Sequence, residues 1–346
     1  MPMPAFRPRF TATHLPQVPY RDPQEACRII LEHFPEAPAL PRLSQSLRMF
    51  LEGMPCVVAD AERRRLWFDF SPQRQDELLA FYERIEAADV DYFAISPKLA
   101  TGLYAMLERL QRDPPPGLKL VHIQPPGPVS WALAMADEAG NPAFHNETTR
   151  DVVVKTLAMK ARWMERAVRQ ALPDVEVMVD LGEPSLVVHT SAVGSGARQD
   201  IIDAINGVLG GVQGITCVHC CANIDWSLLT DTVTQAINFD AYEYGDKLAL
   251  YPEDMARFLE RGGMLSWGIV PTSQDKLAGV EADMLVERLE AGIQSLVNKG
   301  IDRQRVADAS WVTPCCTTAT LSEESSDRVF ALTADVARRM RARYFG

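Results

Sequence analysis

The chain has 346 residues, 47% hydrophobic and 23% charged, a balance that excludes wholesale disorder and collagen-like repeats. With 35 basic and 46 acidic residues it carries a net charge of −11, and no basic run exceeds Arg63-Arg64-Arg65, so nucleic acid and anionic membrane are poor partners. The length suits either two domains or one α/β barrel with insertions, and it buries enough surface to need no disulfide staples.

The first sixteen residues lack the apolar stretch of a secretory signal, so a cytoplasmic protein is expected. Phe10–His14 reads as the first strand. Asp22-Pro23-Gln24-Glu25 opens a helix, with Asp at the N-cap and Pro in its first turn, and Ala26, Ile29, Ile30 and Phe34 follow its period. Pro55–Phe70 reads as a β-hairpin inserted before the second strand, and Ser71-Pro72 starts a helix through Leu78, Leu79, Tyr82 and Ile85. Further short apolar runs are Asp91–Ile95, Leu118–Ile123, Val175–Leu181, Ile215–Val218, Ala236–Tyr242, Met264–Val270 and Val306–Val312. Helical patterns lie between them at Asn146–Ala171, from Tyr251-Pro252-Glu253 to Gly262-Gly263, and at Ala282–Asn298; Glu323–Arg343 follows the last. The least polar stretch, Ile205–Ile224, contains Asn206, Gln213, His219, Asn223 and four glycines, so no membrane span is expected.

Eight strand-like runs alternating with helices predict a single (β/α)8 TIM barrel over residues 1–346, with an N-terminal β-hairpin excursion at 50–70. Catalytic groups in such barrels sit where strands end. The fifth run ends in Cys217-Val218-His219-Cys220-Cys221, the sixth in Asp240-Ala241-Tyr242-Glu243, and the eighth in Thr313-Pro314-Cys315-Cys316. His219 and Cys221 lie two apart and so point the same way on an extended backbone, whereas Cys220 points away. A His, a Cys, a Glu and a Cys from these three ends could form a mixed nitrogen, sulfur and oxygen site, and thiolate and imidazole favour zinc (Zn2+). The seven cysteines are odd in number, which argues against a disulfide framework. Cys217 and Cys220 could alternatively be a redox pair, although they lie in a strand.

These residues resemble the cobalamin-independent methionine synthase C-terminal domain, within the wider superfamily of uroporphyrinogen decarboxylase. That family has a His-x-Cys, then a Glu, then a distal Cys near a Pro, matched here by His219, Cys221, Glu243 and Cys316. Gly127-Pro128-Val129 and Glu183-Pro184 resemble two of its loops. The resemblance implies a (β/α)8 barrel and a zinc-dependent S-methyltransferase. It implies His219, Cys221, Glu243 and Cys316 as metal ligands and a small-molecule thiol as acceptor. The methyl donor would be a corrinoid protein or methyl-folate. Glu243, Asp180, Glu183 and His14 become candidates for catalysis, with His122 and Asp240 behind them. The sequence departs from the family where the amino acid would be gripped: Thr13–Pro19 replaces a Gly-Ser turn, Gly182 replaces an Asp, and Ile95-Ser96-Pro97 stands where a Gly-Glu is expected. Those departures count against homocysteine as the thiol. The competing readings are a uroporphyrinogen-decarboxylase-like lyase and a non-catalytic zinc-binding barrel.

Overall fold

The computed structural model describes residues 6–43, 47–60, 65–137, 139–186 and 195–346. Its centre is a curled, all-parallel sheet of seven strands. These are β1 (Thr11–Ala12), β2 (Leu120–Ile123), β3 (Glu176–Gly182), β4 (Ile215–Cys220), β5 (Ala236–Asp240), β6 (Met264–Val270) and β7 (Ser310–Pro314). Their order is β1-β7-β6-β5-β4-β3-β2. Helices cover the outer face, so β2, β4, β5, β6 and β7 are buried at every position, as a two-sided parallel sheet requires.

The β2 edge of the sheet and the segment that follows β1 meet the same stretch of chain. On the β2 side, Ala39 bridges His122 in parallel, the Leu40 amide donates to the His122 carbonyl at 2.9 Å, and the His122 amide donates to the Pro38 carbonyl at 3.0 Å. Arg42–Leu43 pair in parallel with Gln17–Val18, a separate two-stranded sheet that starts five residues beyond β1. Residues 36–43 thus lie beside β2, where the sequence reading places Asp91–Ile95. That run is instead a 3-10 turn, Val90–Phe93, because the Asp89 carboxylate caps it by accepting from the Tyr92 amide at 3.2 Å. This segment carries Pro38 and Pro41, which lack the amide donors of a regular strand and hide it from pattern reading.

The eighth run also shifts. Asp302 caps a helix at Arg303–Asp308, accepting from the Arg305 amide at 2.7 Å, and the strand begins only at Ser310. The hairpin is present, with Val57–Asp60 antiparallel to Arg65–Phe68; its turn lies outside the described residues. The Asp22 cap and first-turn proline stand as read, on the helix Pro23–His33. Helices Thr101–Arg112 and Ser195–Leu209 had no counterpart in the sequence reading.

Inward-facing residues recur every second position along the strands. Near the strand starts, Leu120, Met178, Ile215, Ala236, Met264 and Trp311 form an apolar plug with Ala37. Two residues further on come His122, Asp180, Cys217, Asn238, Ser266 and Thr313, all buried. The interior therefore changes from apolar to polar towards the strand ends, which is where chemistry can be seated.

One buried charge lies elsewhere. Lys160, on the long helix Glu147–Ala171, is fully buried, and its ammonium makes one long hydrogen bond, 3.4 Å, to the Ala94 carbonyl. Burial pulls its pKa down to about 8, with the Glu52 carboxylate opposing. The unfolded chain then binds the extra proton between about pH 8 and 10.5, so this residue costs stability below pH 8 and the cost fades as pH rises. Lys160→Met is expected to raise stability at pH 7 by roughly 1–3 kcal/mol. Denaturant titrations should show the difference between variant and parent shrinking above pH 9; a constant difference would place the effect in packing alone.

Candidate metal centre

At the exits of β4 and β7 three side chains converge. One ligand atom each from His219, Cys221 and Cys316 lies within 4.8 Å of the other two. The strand pattern explains two of them. Cys217, His219 and Cys221 share one row, while Cys220 turns outward into the helix-side core, its sulfur 3.8 Å from the Ala222 carbonyl. The third follows from where β7 ends. Alternation ceases at Pro314, the Cys315 amide donates to the Val270 carbonyl at 2.9 Å, and the Cys315 sulfur sits 3.6 Å from the Thr272 hydroxyl. Cys316 is thereby the member of the pair that joins the cluster.

His219 is 4% exposed, and neither ring nitrogen has a hydrogen-bond partner. An imidazole buried with both nitrogens unsatisfied costs free energy unless a ligand completes it. Burial works against its protonation, but the Cys316 sulfur and the Asp180 carboxylate more than offset that and raise its pKa. The neighbouring Cys221 thiol and His219 hold Cys316 well below the usual thiol range despite burial. Cys221 is correspondingly pushed up by Cys316 and by burial. The donor set is soft, with a buried, unsatisfied imidazole and two half-buried sulfurs, and it fits a thiophilic divalent metal such as zinc.

Glu243 stands apart from the three. Its carboxylate accepts from the Lys276 ammonium at 2.8 Å, and its amide donates to Asp240 at 2.9 Å, which ties the turn after β5. Asp240 is raised to about 6 by burial and by the nearby Glu243 and Cys316 charges, while the Glu243 amide and Lys276 oppose.

Asp180 lies in the polar layer beneath His219. One carboxylate oxygen takes hydrogen bonds from Gln124 at 2.8 Å and from His122 at 3.2 Å; the other has no partner. Burial opposes its ionisation, yet His122, His219 and Gln124 keep it below the usual carboxylate range. The Asn238 amide nitrogen is also unpartnered in this layer. Sequence reasoning missed Gln124 and Asn238. Their signal was positional, since each is an inward member of a strand row that already contains a candidate.

Glu183 joins the two loops that carry the family resemblance. Its oxygens accept from the amides of Val129 at 2.9 Å and Ser130 at 2.8 Å, and a Cβ on Gly127 would stand 2.2 Å from the carboxyl carbon. Its own amide donates to the His219 carbonyl at 2.8 Å, which fixes the ligand's backbone. Burial raises its carboxyl to about 7 against these amide hydrogen bonds. His14 lies outside the cluster. It packs against Phe34 and Phe330, Nδ1 bonds the Leu15 carbonyl at 3.0 Å, and Nε2 accepts from the Ala39 amide at 3.3 Å. Burial lowers its pKa to about 3, so it is neutral at physiological pH.

Fold and cluster together define an α/β protein with a histidine–dicysteine group at its strand exits. No family model and no curated protein sequence matches the chain. In shape it is similar to a candidate vitamin-B12-independent methionine synthase from Listeria monocytogenes, at 13% identity over 96% of this chain and 98% of that one, with a TM-score of 0.52. It aligns less well with a GH113 β-mannanase from Alicyclobacillus acidocaldarius, at 11% identity over 96% and 97% of the two chains, with a TM-score of 0.40. At such identities the likeness is one of fold. Among the described residues, no helix is long and apolar enough to cross a membrane.

Proposed function

We propose that this chain is a zinc-dependent methyltransferase of methionine-synthase type, moving a methyl group from a corrinoid protein or methyl-folate to a small-molecule thiol. The carrying observation is the convergence of three soft ligand atoms within 4.8 Å around an imidazole with both nitrogens unsatisfied. The same reading takes residues 36–43 as the eighth strand of a (β/α)8 barrel, supported by their pairing with β2 and with Gln17–Val18 just beyond β1. Zinc held by His219, Cys221 and Cys316 would supply the positive charge that keeps an acceptor thiol deprotonated at neutral pH.

The chain's own residues do the rest. Asp180, below His219, steadies the imidazole electrostatically. Asp240, with its carboxyl near 6, is suited to take the proton that the acceptor thiol gives up. Glu243 is the candidate fourth ligand, and it must part from Lys276 to serve. Glu183 holds the strand exit and the Gly127 loop in register, and His14 is assigned no chemical step. The donor would be met over the barrel mouth.

The test is elemental analysis of the full chain, followed by zinc X-ray absorption with a series of added thiols and assay with methylcobalamin. The reading expects about one zinc per chain, an extra sulfur ligand with the true acceptor, and methyl thioether formation. Absence of zinc from protein grown with ample metal would remove the reading. Zinc whose sulfur count no thiol alters would leave a structural site and no enzyme.

A further inference from the structure

Most basic side chains of this acidic protein are spent on carboxylates, as with Arg28 on Glu25 and Glu32, and Arg339 on Asp283 and Asp335. One cleft is an exception. Its volume is about 790 Å3, and its walls include Arg21, Arg48 and Lys98 with Tyr20, Leu43 and Ala319 and, among the described residues, no acidic one. All three basic residues are exposed, and among the described residues none of their side chains makes a hydrogen bond or an ion pair. The nearest carboxylates along the chain are engaged elsewhere: Asp22 caps the following helix through the Gln24 amide at 3.0 Å, and Glu52 accepts from the Ser96 amide at 2.8 Å.

A further basic side chain lies behind this wall. Arg42 precedes Leu43, lines a separate small cavity with Gln124 and Met164, and has no carboxylate partner. It donates only to the Gln124 carbonyl at 3.3 Å and to Gln17 at 3.4 Å, its Nε is buried without a partner, and burial lowers its pKa to about 10. The cleft opens at the end of the sheet that carries the metal cluster. Ala319 lies three residues beyond Cys316, and the Thr318 amide donates to the Gln17 carbonyl at 3.3 Å.

We infer that this cleft binds the anionic end of a small molecule carrying two or more negative charges, as phosphates or carboxylates. Guanidinium forks match both groups bidentately, and an ammonium adds a point charge. Three uncompensated cations on one wall repel one another, and an oligoanion relieves that repulsion where a single charge would not. That the ligand is the thiol acceptor or methyl donor of the neighbouring cluster rests on the proposed methyl transfer; the anion site itself stands on its own residues. It also supplies a grip of a kind different from the amino-acid contacts that the sequence lacks.

The experiment is isothermal titration of the full chain with pyrophosphate and, separately, with tricarballylate, before and after removal of metal by a chelator. One site is expected for at least one probe, unchanged by chelation, and the stronger probe identifies phosphate or carboxylate as the preferred chemistry. Affinity should fall about tenfold or more in Arg48→Gln/Lys98→Gln and on raising salt from about 20 to about 200 mM. Arg338→Gln/Arg343→Gln, which removes the same charge from the C-terminal helix, should bind as the parent does. Circular dichroism confirms that each variant is folded. No binding of either probe at millimolar concentration would overturn the assignment, as would equal weakening in the control variant. Binding lost on chelation but kept in Arg48→Gln/Lys98→Gln would also overturn it, by placing the anion on the metal, and would leave the methyltransferase reading intact.

Discussion

Cys316→Ser is expected to strip the protein of zinc. The serine oxygen is a hard, protonated donor in place of a thiolate, so affinity should drop by about a hundredfold or more. Cys316 is only half-buried, and its sulfur contributes to the cluster more than to the core, so the thermal midpoint of the metal-free protein should move little. The comparison that gives the result meaning is with the adjacent cysteines. Cys315→Ser and Cys220→Ser should retain zinc, because Cys315 faces Thr272 and Cys220 faces the helix-side core. Metal analysis after dialysis, with a melt of each metal-free variant, decides it. Zinc retained in Cys316→Ser, or lost in Cys315→Ser, would mean that the β7 exit is arranged differently and that the cluster is not the site.

Gly268→Ala should damage fold and site together. A Cβ there would meet the Phe239 carbonyl oxygen at 2.5 Å, the Cys315 Cα at 2.7 Å and the Pro314 carbonyl oxygen at 3.1 Å. All three are backbone atoms, so no rotamer change gives relief, and β5 or β7 must move. Gly268 is paired with Asp240 on one side and with Thr313 on the other, just where the β6–β7 register slips. The expected loss of stability is about 2–3 kcal/mol, with weakened zinc binding because Cys316 follows the displaced segment. Gly182→Ala is the matched comparison, on the far side of the same site. Its nearest contact would be the Gln124 side chain at 3.7 Å, and the change should stay within about 0.5 kcal/mol. Urea titration and zinc affinity of the two variants test this. Equal effects, or an unperturbed Gly268→Ala, would show that the strand exits yield more easily than their backbone contacts imply.

Much of the architecture is written locally. Buried parallel strands announce themselves as short apolar runs, and helices by the Asp22, Asn146 and Ser322 caps that accept from their own first-turn amides. Six of the seven strands fall within or overlap the expected runs by most of their length, and β7 overlaps its run in part. Segment 36–43 escaped because its pairing is supplied by neighbours far along the chain while its prolines read as a loop. Asp91–Ile95 misled because an apolar run says nothing about whether a free sheet edge awaits it.

The candidate site divides in the same way. His219 and Cys221 share a strand face by period two alone, so their partnership could be read from spacing. The choice of Cys316 over Cys315 could not, since it depends on how the chain turns after Pro314 under the pull of the Val270 carbonyl. Likewise no motif reveals that Glu243 is held by Lys276, thirty-three residues away, or that Arg21, Arg48 and Lys98 share one uncompensated cleft. Periodicity and capping act over a few residues and are carried by the chain as written. Which distant groups meet, and which charges are left without a partner, depends on the packing of elements that are remote in sequence.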